Sequence, residues 1–243
     1  MILLLTNDDG IDAPGLAALE AATEGLGDRR VIAPSGPQSG VGHAVTTHRA
    51  LVTSVDEKGR RHVDGTPADC VRLALHHLVP DLDWVVSGIN AGGNLGADVY
   101  HSGTVAAARE AVLHGRQGVA LSHYIARGRP VDWVLAASWA RRALVEILAL
   151  PSIPGTFWSI NLPHPSPGDR EPEVVFCPFD PSPLPLDYRV EADQAHYAGN
   201  YHGRRRTPGA DVDVCFNGDI AVSLVRVEGA VQTVVLTQGA SGV

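Results

Sequence analysis

Four short stretches of this chain hold the residues whose types and spacing suit chemistry. Thr6-Asn7-Asp8-Asp9-Gly10 sets two adjacent carboxylates directly behind the apolar run of residues 2–5. Pro34-Ser35-Gly36-Pro37-Gln38-Ser39-Gly40 follows a second apolar run, and Ser87-Gly88-Ile89-Asn90-Ala91-Gly92-Gly93-Asn94-Leu95-Gly96 follows a third. Tyr100-His101-Ser102-Gly103-Thr104 leads into an alanine-rich stretch. Side by side at a buried strand end, Asp8 and Asp9 repel each other unless a positive group stands beside them. A divalent cation meets that need. The two carboxylates neutralise it, the Ser39 hydroxyl and Asn90 amide oxygen add neutral ligands, and positions stay open for water and phosphate. All-oxygen ligation favours Mg²⁺ or Mn²⁺ over zinc.

An isolated Asp-Asp-Gly is more often a turn or a helix cap. The cation reading prevails because the glycine-rich third loop sits on another strand end and has no packing purpose of its own. Ser102, Gly103 and Thr104 offer hydroxyls and free helix-terminal amides, a way to bind phosphate without lysine; a simple Ser or Thr cap is an equal alternative. Of the eleven histidines, His43 and His101 flank these loops and are the candidates to donate a proton to a leaving alkoxide. His76 and His77 read as helix-surface residues, and Arg204-Arg205-Arg206 as a solvated loop or subunit contact rather than a steering patch.

Lys58 is the only lysine, and Asp56-Glu57-Lys58-Gly59 reads as an exposed hairpin turn. Phosphate chemistry built on an active-site lysine is therefore not expected. A haloacid-dehalogenase-like phosphatase needs Asp-x-Asp after the first strand and a later lysine, whereas here the aspartates are adjacent and the only lysine is in a turn; a P-loop needs Gly-Lys-Ser or Gly-Lys-Thr, which is absent. With a formal net charge of −8, a broad basic face for duplex nucleic acid is not expected.

The elements that must carry these loops follow from hydrophobic periodicity in a 243-residue chain that is 44% hydrophobic. Apolar runs alternate with helical patterns, predicting a mainly parallel α/β sheet flanked by helices. Strands are expected at residues 2–6, 30–33, 83–87 and 118–122. Pro14 opens a helix with Asp12 as a candidate cap and Leu16, Leu19 and Leu26 facing inward. Residues 45–55 and 60–64 form a hairpin about Lys58. Thr66-Pro67-Ala68-Asp69 starts a helix that buries Val71, Leu75 and Leu78. Further helices are expected from Val105 to His114 and from Pro130 to Leu150. After Pro151, prolines cluster and short β-like runs stand near 156–161, 173–177, 219–227 and 231–236. These divide the chain into an α/β core, 1–150, and a β-rich extension, 151–243.

The apolar start is too short and lacks the basic flank of an export signal, and no uncharged apolar run reaches the roughly 18 residues of a membrane span. Cys70, Cys177 and Cys215 have no Cys-x-x-Cys spacing, as suits free thiols in a reducing compartment. The expectation is a cytoplasmic protein.

With the four loops in view, the sequence closely resembles the SurE family, the survival-protein nucleotidases. The motifs are Thr6-Asn7-Asp8-Asp9-Gly10 with Pro14-Gly15, Gln38-Ser39-Gly40, Gly65-Thr66-Pro67-Ala68-Asp69-Cys70-Val71, Ser87-Gly88-Ile89-Asn90-Ala91-Gly92, Asn94-Leu95-Gly96 and Ser102-Gly103-Thr104-Val105-Ala106-Ala107-Ala108. The resemblance implies a Rossmann-like core with a β-rich extension, one divalent cation per subunit on Asp8, Asp9, Ser39 and Asn90, and hydrolysis of nucleoside 5′- and 3′-monophosphates and of short polyphosphate. It also implies dimers or tetramers that exchange C-terminal β elements. Asn94 and the Ser102–Thr104 turn are expected at the phosphate, with Asp8 orienting or deprotonating water or acting as nucleophile. Gly209-Ala210-Asp211 stands where Gly-Thr-Asp is usual, Gly218–Leu224 lacks the following Thr-Pro-Leu, and the tail after Leu236 has no counterpart. The reading from another class is a non-catalytic, metal- and nucleotide-binding stress protein.

Overall fold

The computed structural model describes residues 1–166 and 168–227. Strand β1 is Ile2–Thr6, followed by α1 (Pro14–Ala22), β2 (Asp28–Pro34), β3 (Thr53–Val55), β4 (Arg61–Val63) and α2 (Pro67–Leu73). Then come β5 (Trp84–Ala91), α3 (Gly103–Leu113), β6 (Gln117–His123), α4 (Trp133–Leu148) and β7 (Thr156–Leu162). The chain continues through β8 (Val174–Phe176), β9 (Tyr188–Glu191), β10 (Gln194–Tyr197), α5 (Asp211–Phe216) and β11 (Ile220–Arg226). One nine-stranded sheet runs in the order β3-β4-β2-β1-β5-β6-β7-β11-β8. Strands β4, β2, β1, β5, β6 and β7 are parallel; β3 and β11 are antiparallel to their neighbours β4 and β7, and β8 is parallel to β11.

This is the mainly parallel α/β sheet expected from the alternating pattern, Rossmann-like as the resemblance implies. Helices α1 and α4 cover one face around Leu16, Leu19, Trp139, Ala140 and Leu144; α2 and α3 cover the other around Val71, Ala74, Ala107 and Ala111. The chain leaves β1 toward β2 on one side and returns to β5 on the other. The crevice between the carboxyl ends of β1 and β5 is therefore a topological switch point, where open α/β sheets bind ligands.

Local details explain most of the boundaries. Thr66 accepts from the Asp69 backbone N–H while the Asp69 carboxylate accepts from that of Thr66, a reciprocal cap with Pro67 in the first turn. Lys58 lies exposed in the turn joining β3 to β4. Asp12 does not cap α1. Ala13 holds that position without a side-chain bond, and the Asp12 carboxylate instead pairs with Arg60 at 2.9 Å. Asp132 caps α4, which starts at Trp133 rather than Pro130.

Strand β5 runs on through Asn90, because pairing with β6 extends to Asn90 and Ala91. The 45–52 part of the expected hairpin is not strand. Beyond residue 150, β7, β11 and β8 extend the same sheet, while β9 and β10 form a separate two-stranded hairpin. The short helix α5 and that hairpin were not foreseen. The run at 231–236 and the tail after Leu236 lie outside the described residues. Among the described residues, no helix is long and apolar enough to cross a membrane.

Candidate active site

The switch-point crevice opens into a cavity of about 370 Å³ whose wall includes Asp8, Asp9, Ser39, Asn90, Asn94, His101 and Ser102. They arrive from four segments: Asp8 and Asp9 after β1, Ser39 after β2, Asn90 and Asn94 at and beyond the end of β5, and His101 and Ser102 just before α3. After β1 the Asn7 amide closes the turn, donating to the Gly10 carbonyl at 2.8 Å and accepting from the Gly10 N–H at 3.2 Å. This fixes the backbone that carries Asp8, which is buried, and Asp9, which is half-buried.

Ser39 sits at the second position of a tight turn in which Val41 N–H donates to the Gln38 carbonyl at 3.2 Å. Gly40, at the third position, has φ +75°, the value a type II turn asks of glycine. The turn is tied to the acidic pair because Gln38 N–H donates to the Asp8 carbonyl at 2.7 Å. Asn90, at the end of β5, donates its amide nitrogen to the Gly92 carbonyl at 2.7 Å, which commits the nitrogen to the loop and leaves the oxygen for ligation.

Burial pushes the Asp8 carboxyl up to about 6; a hydrogen bond from Thr104 opposes this and the neighbouring Asp9 charge adds to it. Asp9 accepts one hydrogen bond, from Ala91 N–H at 3.1 Å. Lysine and arginine are absent from the described wall of the cavity. The pair thus concentrates negative charge with little to offset it, in reach of a hydroxyl and an amide oxygen. That donor set fits a hard divalent cation. Among the described residues, no group of three or more His, Cys, Asp or Glu side chains is placed to hold a metal, so a cation here must be completed by the neutral oxygens.

The predicted phosphate turn divides in two. Ser102 lines the cavity and also caps α3, accepting from Val105 N–H at 3.1 Å. Thr104 lies beneath the floor, fully buried, and donates its hydroxyl to Asp8. Gly103 is where it is because a Cβ there would stand 3.0 Å from both the Cβ and Oδ2 of Asp8. Asn94 is held by Asn161, which accepts from its N–H at 2.8 Å, and by Ser122, which accepts from its amide at 2.6 Å.

Of the two histidines, His101 stands exposed on the cavity rim. His43 does not line the cavity. Its Nε2 lies 2.7 Å from Glu110 and its Nδ1 3.3 Å from Arg109, so both ring nitrogens are occupied away from the reacting groups. It is removed from the general-acid candidates.

Sequence reasoning missed Asp98 and Leu184 in the wall. Asp98 accepts from Tyr201 at 2.8 Å and pairs with Arg204 at 3.1 Å. Arg204 is buried over the Tyr201 ring, 4.4 Å from its centroid, so this arginine braces the cavity wall and is not part of a solvated loop. The signal available was the position of Asp98 one turn before the Ser102 loop; its partners, a hundred residues away, gave none.

Comparison with known proteins places these observations in context. The family described as Survival protein SurE matches residues 3–178. A protein of Nostoc sp., provisionally named a 5′-nucleotidase, is 52% identical over 227 residues, spanning 93% of this chain and 100% of its own. The 5′-nucleotidase SurE of Geobacter sulfurreducens is 43% identical over 238 residues, covering 94% of this chain and 88% of that one. The crystal structure of the SurE protein from Aquifex aeolicus superposes with a TM-score of 0.82 at 28% identity, over 94% of each chain.

Proposed function

The chain belongs to the SurE family of survival proteins, and from that premise we propose that it is a divalent-metal-dependent 5′-nucleotidase. It hydrolyses nucleoside 5′- and 3′-monophosphates to nucleoside and phosphate, and trims short polyphosphate. The observation that carries this reading is the adjacent pair Asp8 and Asp9, facing Ser39 and Asn90 in one crevice without a cationic side chain in its described wall.

Asp8, Asp9, Ser39 and Asn90 hold one Mg²⁺ or Mn²⁺ per subunit. When bound, that ion supplies Lewis acidity toward the phosphoryl group and the attacking water. Asp8 orients the water and takes its proton. The N–H groups at the start of α3, beside the cavity-lining Ser102, and the Asn94 side chain stabilise the equatorial oxygens. His101 on the rim donates a proton to the departing ribose oxygen.

Residues 151–243 serve assembly into a homodimer or homotetramer. Supporting this, hairpin β9–β10 stands in its own sheet and exposes Tyr188, Val190 and Tyr197. Cys70, Cys177 and Cys215 are all free thiols, which suits the cytoplasm.

The test is phosphate release from a panel of nucleoside monophosphates with EDTA, then with Mg²⁺ or Mn²⁺ restored, for wild type and Asp9→Ala. The expected result is activity lost with chelator, restored by metal and reduced at least 100-fold in the variant. Metal binding without release from any nucleotide would overturn the reading.

A further inference from the structure

The Ser39 turn has little of its own to hold it in place. Ser39 and Gly40 are exposed, and on the way to His43 the chain passes Gly40 and Gly42, at φ +75° and +60°. Two glycines in four residues leave many backbone arrangements open. The turn is therefore located by what grips it at each end. On one side Gln38 N–H reaches the Asp8 carbonyl. On the other, the His43 ring reaches Glu110, and the next residue, Ala44, accepts at its carbonyl from the Thr66 hydroxyl at 2.7 Å.

Glu110 is an unusual residue for its position. It lies on α3 with its side chain 3% exposed, among alanines, and its two oxygens receive His43 at 2.7 Å, Arg72 at 2.8 Å and His114 at 2.9 Å. A buried carboxylate left unpaired is strongly unfavourable, and here each partner meets a defined oxygen. Arg109, one residue earlier, sits 3.3 Å from His43 Nδ1 and donates to the Val99 carbonyl at 2.8 Å, which fixes the ring so that Nε2 carries the proton given to Glu110. The first turn of the same helix sends Thr104 to Asp8.

We propose that Glu110 is a positioning residue for the metal site, holding the Ser39 turn at its ligating distance through His43, so that one helix sets both the acidic pair and the neutral ligand opposite it. This rests on the metal reading given above. Outer groups that orient ligands typically change metal affinity 10- to 100-fold when removed.

The experiment uses the full chain and the variants His43→Ala, His43→Gln, Glu110→Gln and His114→Ala. Mn²⁺ affinity is read by electron paramagnetic resonance, and amide hydrogen exchange is followed across residues 38–43. Glutamine places an N–H near the position of Nε2 but cannot act as an acid. Expected are a 10- to 100-fold loss of Mn²⁺ affinity in His43→Ala with at least 10-fold faster exchange in 38–43, and recovery to within about 3-fold in His43→Gln. Glu110→Gln should fall between the two. His114→Ala removes an equal contact from Glu110 without touching the loop, and should leave both readouts unchanged. Wild-type affinity and exchange in His43→Ala, or equal losses in His114→Ala, would overturn the proposal. If wild type itself fails to bind Mn²⁺, the metal reading falls; faster exchange in His43→Ala alone would then still support the tether, and its absence would sink that too.

Discussion

The hydroxyl of Thr104, on the first turn of α3, donates to the carboxylate of Asp8, at the end of β1, and both side chains are buried. This bond joins the helix that presents its N-terminus to the crevice with the strand that carries the acidic pair. Among the influences on the Asp8 carboxyl it is the largest that favours the charged form, and it acts against burial and against Asp9.

Removing that donor shifts the balance toward the protonated acid. In Thr104→Val, which keeps the shape, the Asp8 carboxyl should rise further above 6. Since a proton competes with a cation for the same oxygens, Mn²⁺ affinity is expected to fall on the order of 10-fold at pH 6 and less at pH 8. Titration calorimetry at the two pH values reads the difference.

Without metal, Asp8 makes the fold less stable as pH rises. Its folded value, about 6, lies above the ordinary 3.8, so between those values the unfolded chain releases a proton that the folded chain keeps. Stability therefore declines from about pH 4 through pH 6, by on the order of 2–3 kcal/mol in all. In EDTA, Asp8→Asn should melt several degrees above wild type at pH 7.5 and near it at pH 4. Saturating Mg²⁺ should stabilise wild type and not the variant. Equal pH dependence in both proteins would count against the raised value.

If His101 protonates the leaving group, its removal matters only where the leaving group is poor. His101→Gln is expected to lower kcat on a nucleoside monophosphate about 10²-fold, in line with general acid catalysis, while kcat on p-nitrophenyl phosphate changes by less than about 3-fold. Similar losses on both substrates would remove His101 from this role.

The brace behind the cavity wall should be expensive to break. Arg204 and Asp98 are 4% and 12% exposed at 3.1 Å, and removing one partner of such a buried pair costs about 3–5 kcal/mol. Arg204→Met is expected to lower the Tm by about 10 °C, and adding Asp98→Asn should recover part of the loss. Thermal denaturation followed by circular dichroism decides this.

What could be read from the sequence was what depends on near neighbours. Residues 2–5 form an unbroken apolar run that passes through Thr6 and Asn7 into the charges of Asp8 and Asp9, so both β1 and the place of the acidic pair at its carboxyl end follow from the one pattern. Thr66-Pro67-Ala68-Asp69 carries its own cap, and that helix begins where it was expected. What failed was decided across the fold. Asn90 belongs to β5 because β6 pairs with it, a fact invisible at Asn90 itself. Asp12 is claimed by Arg60, 48 residues away, instead of by the helix beside it. His43 lies near the loops in sequence, yet Glu110, 67 residues on, turns its ring aside. Glu110 did leave a trace: it falls on the same helical stripe as Ala107 and Ala111, where a charge is out of place unless a partner comes to meet it.

Among the described residues, both margins of the large sheet end in strands of three residues, Thr53–Val55 and Val174–Phe176. An incoming strand from another molecule would find few free N–H and C=O groups in line there, too few to pair with in register. A sheet this wide invites edge-to-edge stacking into insoluble fibres, and its abbreviated borders guard against that fate. The crevice between β1 and β5 stands well inside those borders, with four strands on one side of it and five on the other, so the site is kept apart from the edges where another chain could pair.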